Sequence, residues 1–483
     1  MSSGHTALAV VILAAGQGTR MKSDLPKMLH EAAGRPLLGH VIKRAQELEP
    51  ERIIVITGHG ADAIETHFKD AGLTFSRQLE QLGTAHAFLC AAQALTGHTG
   101  EVMVLYGDTP LVRHSTLKAA LEAHRKAHAG MTVITGVLPD ATGYGRIVRD
   151  ADGEVVRIVE QKAASEAEQK LTEWNSGMYI FDSSAVELAR TIGNENAAHE
   201  YYLTDILELY RARGERVVAF KADSSELEGC NDRRQLAAAD RTLRLRTCEA
   251  LMTSGVTLRD PATTFVDDTV QIEPDVILEP GVMLRGQTFV GRGSVIGAYS
   301  VIADCQLAEN VVIKPHSVLE GASLARGAQV GPFARIRAGS KLGEYVHVGN
   351  FVEIKNSTLH EGAKAGHLAY IGDADIGREV NFSAGAITAN YDGVHKHRTV
   401  IHDGAFIGTN VTLVAPVTIH QGAFVAAGST ITTDLPAGAL GVTRAPQKTV
   451  EDWSERYWTK KLAGAKPSKN PVIQSWLEQR KHK

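Results

Sequence analysis

The sequence predicts an α/β domain followed by an all-β parallel β-helix, and three observations lead to this fold class. Up to about residue 230, short aliphatic runs alternate with helical patterns, which is typical of a largely parallel sheet. In the second half an aliphatic residue recurs at every sixth position, a period that fits neither a helix nor an ordinary strand. A charged segment free of glycine and proline separates the two patterns.

The elements of the α/β domain follow from the aliphatic runs and the amphipathic segments between them. The predicted strands are residues 7–13, 52–57, 101–105, 132–137 and 217–219, and two of the predicted helices are residues 114–129 and 184–190. Ligands of such sheets bind beyond the carboxyl ends of the strands. We therefore expect a binding site at that edge of the sheet.

The connecting segment, residues 233–252, predicts one helix because its aliphatic residues recur at helical spacing.

The six-residue period beyond it is clearest at Val330, Ile336, Leu342, Val348 and Ile354 and again at Ile401, Ile407, Leu413, Ile419, Val425 and Ile431. Each hexad is one short strand plus a turn and three hexads form a triangular coil, so residues 256–440 predict about ten coils. A β-sandwich would instead require period two and hairpin turns. The predicted division is 1–232, 233–252, 253–446 and a basic, partly ordered tail, 447–483.

Composition excludes several classes of protein. Lys and Arg total 51 against 55 for Asp and Glu, so no basic field attracts nucleic acid or an acidic membrane. The four cysteines (Cys90, Cys230, Cys248 and Cys305) have no CxxC spacing, which predicts reduced thiols in a cytoplasmic protein. The apolar stretch 7–15 is too short for a membrane span and predicts a buried strand.

A glycine-containing loop follows the first predicted strand and suits an anion. Gly16 and Gly18 allow close approach of the backbone to a ligand, and Arg20 and Lys27 can neutralise phosphates. The spacing matches neither the Walker A motif nor GxGxxG. The loop alone therefore does not decide whether phosphate binds there.

The whole string LAAGQGTRM, followed by Leu25-Pro26-Lys27, resembles the signature of the sugar-nucleotide pyrophosphorylases, Rossmann-like nucleotidyltransferases. Further stretches resemble the family in the same order: Gln78 and residues 81–84 resemble its uracil-contacting segment, and residues 143–146, Glu160 and Asn175 resemble its sugar-binding positions. The resemblance implies that Arg20 and Lys27 are catalytic. It implies a UTP and UDP-sugar site formed by Leu13, Ala14, Gly16, Lys27, Gln78, Gly83, Thr84, Tyr106, Gly107, Asp108, Gly145, Glu160, Asn175 and Asn231.

Asp108 and Asn231 match the metal ligands of that family, which implies Mg²⁺ as cofactor. Mg²⁺ prefers oxygen ligands and keeps several waters, so one carboxylate and one amide oxygen suffice beside substrate phosphates. Taken alone, Asp108 would be interpreted as a carboxylate that caps the turn after a strand. Gln17 stands where relatives often have Lys, which removes one positive charge near the triphosphate.

A second site is indicated where the hexad period breaks, because residues 389–398 form an insertion and insertions in a solenoid become surface loops. His367 lies upstream, and an imidazole with a pKa of about 6.5 suits a general base. Composition alone does not favour His367 over His347 or His395.

The two halves in this order resemble the bacterial bifunctional uridylyltransferase–acetyltransferases that make UDP-N-acetylglucosamine, a precursor of peptidoglycan and lipopolysaccharide. Residues 349–355, 364–368 and 390–393 are the most specific matches. The resemblance implies a left-handed β-helix, a homotrimer with acetyl sites between subunits, and UTP, acetyl-CoA, glucosamine-1-phosphate and N-acetylglucosamine-1-phosphate as substrates. It implies that His367 is the catalytic base, that the sugar phosphate is held by Arg337, Lys355, Tyr370 and Asn381, and that acetyl-CoA is bound by Ala384, Asn390, Tyr391, Thr409, Ala427 and Arg444. Thr409 replaces a common Ser.

Two alternatives come from other functional classes. The solenoid can serve only to oligomerise a monofunctional pyrophosphorylase, in which case His367 is a stacked corner residue. The joint presence of His367, Lys355, Tyr370 and the inserted loop argues against this. The first domain can also be a nucleotide sensor, but binding alone does not require the pair Asp108 and Asn231.

Overall fold

The computed structural model describes residues 7–196, 199–463 and 470–481. It contains an α/β domain, a long connecting helix, a parallel β-helix and a helical tail. The predicted fold class is therefore confirmed. Of the predicted basic tail, residues 464–469 and the last two residues, His482 and Lys483, lie outside the described residues.

The α/β domain is built on a nine-stranded sheet with the order β11-β7-β10-β6-β1-β4-β5, with β8 and β9 attached beside β10. Its strands are β1 (Leu8–Ala14), β4 (Arg52–Thr57), β5 (Thr74–Arg77), β6 (Glu101–Tyr106), β7 (Met131–Val137), β8 (Arg146–Arg149), β9 (Val155–Val159), β10 (Glu173–Phe181) and β11 (Val217–Lys221), and a separate hairpin contains β2 (Glu31–Ala32) and β3 (Arg35–Pro36). All seven residues of β1 are buried, and β1 pairs in parallel with β4 and β6. The carboxyl ends of these three central strands therefore meet at one edge.

The helices cover both faces of this sheet. They are α1 (Leu37–Gln46), α2 (Ala61–His67), α3 (Thr84–Leu89), α4 (His114–Ala127), α5 (Glu166–Gln169), α6 (Ala185–Ala189), α7 (Ile206–Ala212) and α8 (Ser224–Leu227), with 3₁₀ turns at Thr19–Met21, Lys27–Leu29 and Leu203–Asp205. The predicted strands are found within two residues of their expected ends. The helix predicted to reach residue 129 ends at Ala127, because His128 adopts a left-handed conformation with φ +49°.

The antiparallel strand β10 was not predicted. It pairs with β6 and β7, and its register shifts between Asn175 and Tyr179. Such a bulge bends the strand and re-aims side chains, and it leaves little trace in a hydrophobic pattern. This bulge contains Asn175, one of the predicted sugar-binding residues.

The connecting helix α9 runs from Arg233 to Thr253 and is capped by Asp232, whose side chain accepts hydrogen bonds from two backbone N–H groups of the first turn. It joins the two large parts through charged contacts. Arg244 pairs with Asp240 on its own helix and with Asp267 in the first coil of the β-helix. Asp268 in turn pairs with Arg35 and with Lys43 of the α/β domain, at 3.0 Å and 3.1 Å. The helix and this network link the α/β domain to the first coil.

The left-handed β-helix has three parallel sheets, here named A, B and C. Sheet A contains Thr257–Leu258, Ile277–Leu278, Val295–Ile296, Val312–Ile313, Gln329–Val330, His347–Asn350, Lys364–His367, Asn381–Phe382, Phe406–Ile407, Phe424–Val425 and Leu440–Gly441. Sheet B contains Phe265–Val266, Met283–Arg285, Val301–Ala303, Val318–Glu320, Arg335–Ile336, Glu353–Lys355, Tyr370–Gly372, Ile387–Ala389, Thr412–Val414 and Thr430–Ile431. Sheet C contains Gln271–Ile272, Phe289–Val290, Gln306–Leu307, Ser323–Leu324, Lys341–Leu342, Thr358–Leu359, Ala374–Ile376, Thr399–Ile401 and Val417–Ile419.

The hexad residues form one continuous core, as the period predicts. Every aliphatic residue of the two quoted hexad series is buried, and all of them belong to the same hydrophobic cluster. Burying such a side chain contributes about 1.5–3 kcal/mol relative to leaving it exposed. The stacked column therefore supplies the main stabilisation of the β-helix, and the sheets' nine to eleven strands agree with the expected ten coils.

An exposed row of rings runs along one corner of the β-helix. It comprises Tyr299, His316, Phe333 and Phe351, and we call it the aromatic ladder. Neighbouring rings stack with centroids 5.0–5.5 Å apart. Phe351 is 56% exposed and Tyr299 is 61% exposed, so the ladder presents apolar surface to its surroundings.

The described part of the tail contains two helices, α10 (Trp453–Leu462) and α11 (Pro471–Lys481), which contact each other. The sequence predicted only a partly ordered extension there, because neither helix has a strong apolar face. Within the described ranges, no helix combines the length and the apolar character needed to cross a membrane.

Candidate active sites

A cleft of about 530 Å³ opens at the carboxyl ends of β1 and β6 in the α/β domain. The loop after β1 forms one wall. A Cβ atom on Gly16 would meet no atom within 4 Å, so this backbone is open to a ligand. Gly18 has φ +64°, and a Cβ atom there would lie 2.6 Å from Cβ of Lys27. The loop therefore requires glycine at position 18, for both its conformation and its contact with Lys27.

Four polar side chains from distant parts of the chain meet in this cleft. Lys27 forms an ion pair with Asp108, and its Nζ also donates to Oδ1 of Asn231 at 3.0 Å. Arg20 donates to the same Asn231 oxygen at 2.9 Å. The backbone N–H of Cys230 donates to the carbonyl of Asp108 at 2.8 Å, which joins the ends of β6 and α8. The predicted catalytic and metal-ligating residues are thus neighbours in space.

The oxygens of Asp108 and Asn231 fit a magnesium ion. Both lie within hydrogen-bonding reach of one ammonium group, so they converge on a single cationic position. Two protein oxygens leave room for the waters and phosphate oxygens that Mg²⁺ requires. Across residues 7–196, 199–463 and 470–481, no group of three or more His, Cys, Asp or Glu side chains could hold a metal without substrate.

One end of the cleft has the polar groups expected of a base-binding pocket. Nε2 of the buried Gln78 donates to the carbonyl of Gly83 at 3.1 Å. Gly83 has φ +116°, and a Cβ atom there would lie 2.5 Å from the carbonyl oxygen of Tyr201. Gln81 donates to the carbonyl of Ala15 at 2.9 Å, which ties this segment to the glycine loop. Glu200 also lines the cleft; it was not predicted, because its surrounding sequence has no distinctive pattern.

The predicted sugar-binding residues form an adjoining group. A Cβ atom on Gly145 would lie 3.6 Å from both Asn175 and Glu160. Asn175 is held by the bulge of β10, where its Oδ1 accepts from the N–H of Gly177 at 3.0 Å and its Nδ2 donates to the hydroxyl of Tyr179 at 2.8 Å. Burial raises the pKa of Glu160, and the carboxylates of Asp205 and Glu200 raise it further.

Tyr106 joins this group to the main cleft. Its ring packs against Gly177, where φ is +80° and a Cβ atom would lie 2.5 Å from the ring. Burial, with the nearby Glu160 and Asp108, raises the pKa of the Tyr106 phenol, so it stays protonated. The cleft is lined by the predicted residues Leu13, Gly16, Arg20, Lys27, Gln78, Gly83, Thr84, Tyr106, Asp108 and Asn231.

Two predicted residues contribute to this site only through the backbone. The side chain of Ala14 is buried in the core cluster on the other face of the sheet. Gly107 is buried between β1 and the first helices, and its N–H donates to the carbonyl of Leu13 at 2.9 Å. They fix the spacing of the strands below the cleft.

On the β-helix, His367 stands at a corner between sheets A and B. The parallel register pairs it with Asn350 of the previous coil, and its Nδ1 hydrogen bonds to Oδ1 of Asn350 at 2.9 Å. Because an amide oxygen only accepts, Nδ1 carries the proton and Nε2 is left to act as a base. His367 is exposed.

The other two candidate histidines have different surroundings. Burial and the positive charges of Lys314, His367 and Lys364 lower the pKa of His347. His395 lies in the inserted loop, where its N–H donates to Asp392. His367 remains the predicted base, and it differs from the other two in standing exposed at a corner with its Nδ1 held by Asn350, a distinction that composition did not make.

Small residues follow His367 along the same corner, one in each coil. Ala384, Thr409 and Ala427 each lie three positions after the start of the sheet A strand of their coil, as His367 does in its own. Backbone hydrogen bonds of 2.8–3.0 Å connect the consecutive coils at this corner. At the end, Arg444 donates to the carbonyl of Ala427 at 2.9 Å. We call this row the corner groove.

A polar cluster occupies the opposite edge of sheet B. Asn390 donates to Asp373, and its Nδ2 and the hydroxyl of Tyr370 both lie within 3 Å of the position a Cβ atom would take on Gly372. The neighbouring ammonium of Lys396, together with some burial, lowers the pKa of Lys355. Two cations held this close indicate an anion-binding position.

Of the remaining predicted residues of this half, one adjoins that cluster and two lie apart from it. Arg337 follows the sheet B strand one coil before Lys355, where its charge also lowers the pKa of Lys355, and it pairs with Glu353 at 2.9 Å. Asn381 is on sheet A and donates to Ser383 at 2.7 Å. Tyr391 is 60% exposed on the inserted loop, which an isolated bridge between Tyr391 and Lys396 closes. The single chain therefore spreads its predicted acetyl-site residues over two faces and one loop.

Comparisons with known proteins agree with both halves. Residues 9–227 match the model of the nucleotidyl transferase family. Residues 262–360 match the GMPPB C-terminal domain, and residues 398–433 match the bacterial transferase hexapeptide family.

Curated relatives match over nearly the whole chain. The "Bifunctional protein GlmU" of Bordetella parapertussis is 49% identical over 453 residues, which cover 92% of this chain and 98% of that protein. Proteins of the same name from Geobacillus thermodenitrificans and Pelobacter propionicus are 47% and 45% identical, each covering 93% of this chain and 98% of their own length.

Proposed function

The chain belongs to the bifunctional GlmU family, and on that premise we propose how its two sites make UDP-N-acetylglucosamine. The protein is an enzyme with two transferase activities. It transfers an acetyl group from acetyl-CoA to glucosamine-1-phosphate, and it transfers a uridylyl group from UTP to N-acetylglucosamine-1-phosphate with release of pyrophosphate. The relatives' full-length match disfavours a scaffold-only β-helix and a nucleotide sensor.

In the uridylyl reaction, the sugar phosphate oxygen attacks the α-phosphorus of UTP in one displacement. Such a reaction needs alignment and neutralisation of phosphate charge rather than a covalent intermediate. Lys27 and Arg20 stand beside the open Gly16 backbone, where they can bind the phosphates, while Gln78, Gly83 and Thr84 hold the uracil. Gly145, Glu160 and Asn175 orient the sugar.

Asp108 and Asn231 would hold Mg²⁺ with the substrate phosphates. When bound, the ion would supply charge neutralisation on the phosphate oxygens and help to hold them in line. The convergence of both oxygens on one cationic position supports this assignment.

In the acetyl reaction, Nε2 of His367 accepts a proton from the sugar amine as the amine attacks the thioester carbon. The Asn350 oxygen holds a proton on Nδ1, so in the neutral ring Nε2 carries the lone pair that accepts the proton. Lys355, with Lys396, Arg337, Tyr370 and Asn381, holds the sugar phosphate. Lys396 is an addition to the predicted set, supported by its closeness to Lys355.

The corner groove fits an extended acyl carrier. Strands of neighbouring coils are about 4.8 Å apart, so His367 and Ala427, three coils apart, are separated by about 14 Å. The small side chains of the groove leave space for a ligand at Ala384, Thr409 and Ala427. Arg444 provides a cation at the far end of the groove. We assign the coenzyme A moiety to this groove, with Asn390 and Tyr391 as further contacts.

We further propose that the acetyl site is completed in a homotrimer. His367 lies at one edge of sheet B, whereas Asn390 and Tyr391 lie beyond the other edge. A neighbouring copy can bring its inserted loop to the first copy's corner groove. The exposed aromatic ladder supplies apolar surface for such an assembly.

A cytoplasmic location is consistent with the thiols. All four cysteines are free, and burial raises the pKa of Cys230 to about 12 and that of Cys305 to about 11. Thiols with such pKa values are poor nucleophiles and form disulfides slowly.

The observation that carries the proposal is that one chain contains both the Lys27–Asp108–Asn231 cluster and the His367 corner groove. The test is to mix the purified protein with glucosamine-1-phosphate, acetyl-CoA, UTP and Mg²⁺ and to omit one component at a time. We expect pyrophosphate release that requires all four. Release without acetyl-CoA would show that the acetyl step does not precede uridylyl transfer.

A further inference from the structure

The ammonium group of Lys27 lies where a cation bound by Asp108 and Asn231 would lie. It pairs with the Asp108 carboxylate and donates to Asn231 Oδ1 at 3.0 Å, so it contacts both protein oxygens of the candidate metal position. Lys27 is 8% exposed and Asp108 is 15% exposed. A charge pair this well shielded from water is screened less than a surface pair.

A divalent cation and this ammonium group cannot occupy that position together. Both are positive, and both require the same oxygens at contact distance. A lysine side chain is flexible, with four methylene groups, and its ammonium group binds phosphate oxygens as readily as carboxylates. The glycine loop beside Lys27 is open, so a triphosphate seated there offers the ammonium group an alternative partner.

We propose that Lys27 occupies the divalent-cation position of the free enzyme and leaves it when a nucleoside triphosphate binds. Lys27 is then a positioning residue for the cation as well as a phosphate ligand. This inference rests on the proposed uridylyl site. It has a specific consequence: the metal alone binds the free enzyme poorly, and nucleotide and metal bind with positive coupling.

Arg20 provides a matched comparison on the same ligand. It also donates to Asn231 Oδ1, at 2.9 Å, but it is exposed and has no hydrogen bond to Asp108 among the described residues. Removing Arg20 leaves the Asp108 carboxylate paired with Lys27. Removing the Lys27 ammonium leaves a shielded carboxylate without its cation, and such a group attracts a metal ion.

The experiment measures Mn²⁺ binding to the full-length protein without nucleotide, using the electron paramagnetic resonance signal of free Mn²⁺. We compare the wild type with Lys27→Met, which keeps the apolar stem, and with Arg20→Gln. We expect Lys27→Met to bind Mn²⁺ about tenfold or more tightly than the wild type, since a charge-assisted bond is removed from the competing state. We expect Arg20→Gln to change the affinity by less than about threefold.

A second readout protects the test against a variant that folds poorly. Lys27→Met should unfold at a lower temperature than the wild type, and Mn²⁺ alone should raise its unfolding temperature more than that of the wild type. Lys27→Gln, which keeps a polar end, should also bind Mn²⁺ more tightly than the wild type does. Equal or weaker Mn²⁺ affinity in both folded Lys27 variants would overturn the proposal.

Failure of this inference is distinguishable from failure of the proposed function. Binding of UTP to the wild type is measured by calorimetry with and without Mg²⁺. No binding in either condition contradicts the uridylyl site itself. Binding of UTP together with unchanged Mn²⁺ affinity in Lys27→Met contradicts only the exchange of Lys27 for the metal.

Discussion

The two candidate active sites are built in different ways on one chain. In the α/β domain, Lys27, Asp108 and Asn231 come from three separate segments and meet in a cleft formed within a single chain. On the β-helix, His367 is exposed at a corner, and the loop residue Tyr391 is 60% exposed beyond the other edge of sheet B. A cleft at the edge of a folded sheet can be assembled by tertiary folding alone. A solenoid presents only outer faces and corners, so it can enclose a substrate only with loops or with a second copy.

The largest effect is expected from replacing the proposed metal ligand Asp108, which should affect one of the two activities and spare the other. Asp108→Ala removes the only carboxylate among the two proposed metal ligands, and we expect uridylyl transfer to fall by about 10³-fold or more, because metal stabilisation contributes several kcal/mol. Acetyl transfer should stay within about twofold of wild type. Pyrophosphate release and coenzyme A release, assayed separately, measure the two rates. A parallel loss of both activities in a folded variant would contradict two separate sites.

The reciprocal variant is His367→Ala. Removing a general base should lower acetyl transfer by about 10²- to 10⁴-fold and leave uridylyl transfer unchanged. His360→Ala is a matched control, because His360 is also exposed on the β-helix and hydrogen bonds to Asp375 at 2.9 Å, but it follows a strand of sheet C. The assignment of the base is wrong if both variants retain full acetyl transfer.

A core substitution tests how far the two regions depend on each other for stability. Ile371 is fully buried beneath the proposed acetyl site. Ile371→Ala should lower the free energy of unfolding of the β-helix by about 2–5 kcal/mol, through lost transfer energy and a cavity. Because contacts in a solenoid are local, the α/β domain should unfold at an unchanged denaturant concentration. One transition shifting as a whole would show instead that the regions unfold together.

The smallest expected effect concerns the tuning of the exposed base. Asn350→Asp places a carboxylate at 2.9 Å from Nδ1 of His367 and so stabilises the imidazolium form. Since only neutral imidazole accepts a proton, the acidic limb of the acetyl-transfer pH profile should move to higher pH. The pH profile of uridylyl transfer serves as the internal control, and an unmoved acidic limb would exclude a role for Asn350.

The sequence predicted the regular parts of both regions and missed the irregular ones. The hexad period defined the β-helix core because each buried residue, such as Ile336 or Ile407, recurs at a fixed interval. The glycine loop after β1 was predicted from a local motif. The bulge at Asn175 and the Lys27–Asp108 contact depend on tertiary packing between distant segments, which no local pattern records. The contacts made by Lys396 and Glu200 were missed for the same reason.

The spacing of residues along the corner groove is set by the stacking of the coils, and side chains do not set it. Between Ala384 and Thr409 the chain contains the inserted loop, yet Asn410 still donates its N–H to the carbonyl of Ala384 at 2.9 Å, so the insertion leaves the stacking interval intact. The length of the groove can therefore change only by whole coils. Grafting one extra coil between Thr409 and Ala427 would lengthen the groove by about 4.8 Å, while the existing side chains that line it stayed the same. Acyl donors of different arm length could in this way be selected by repeat number alone.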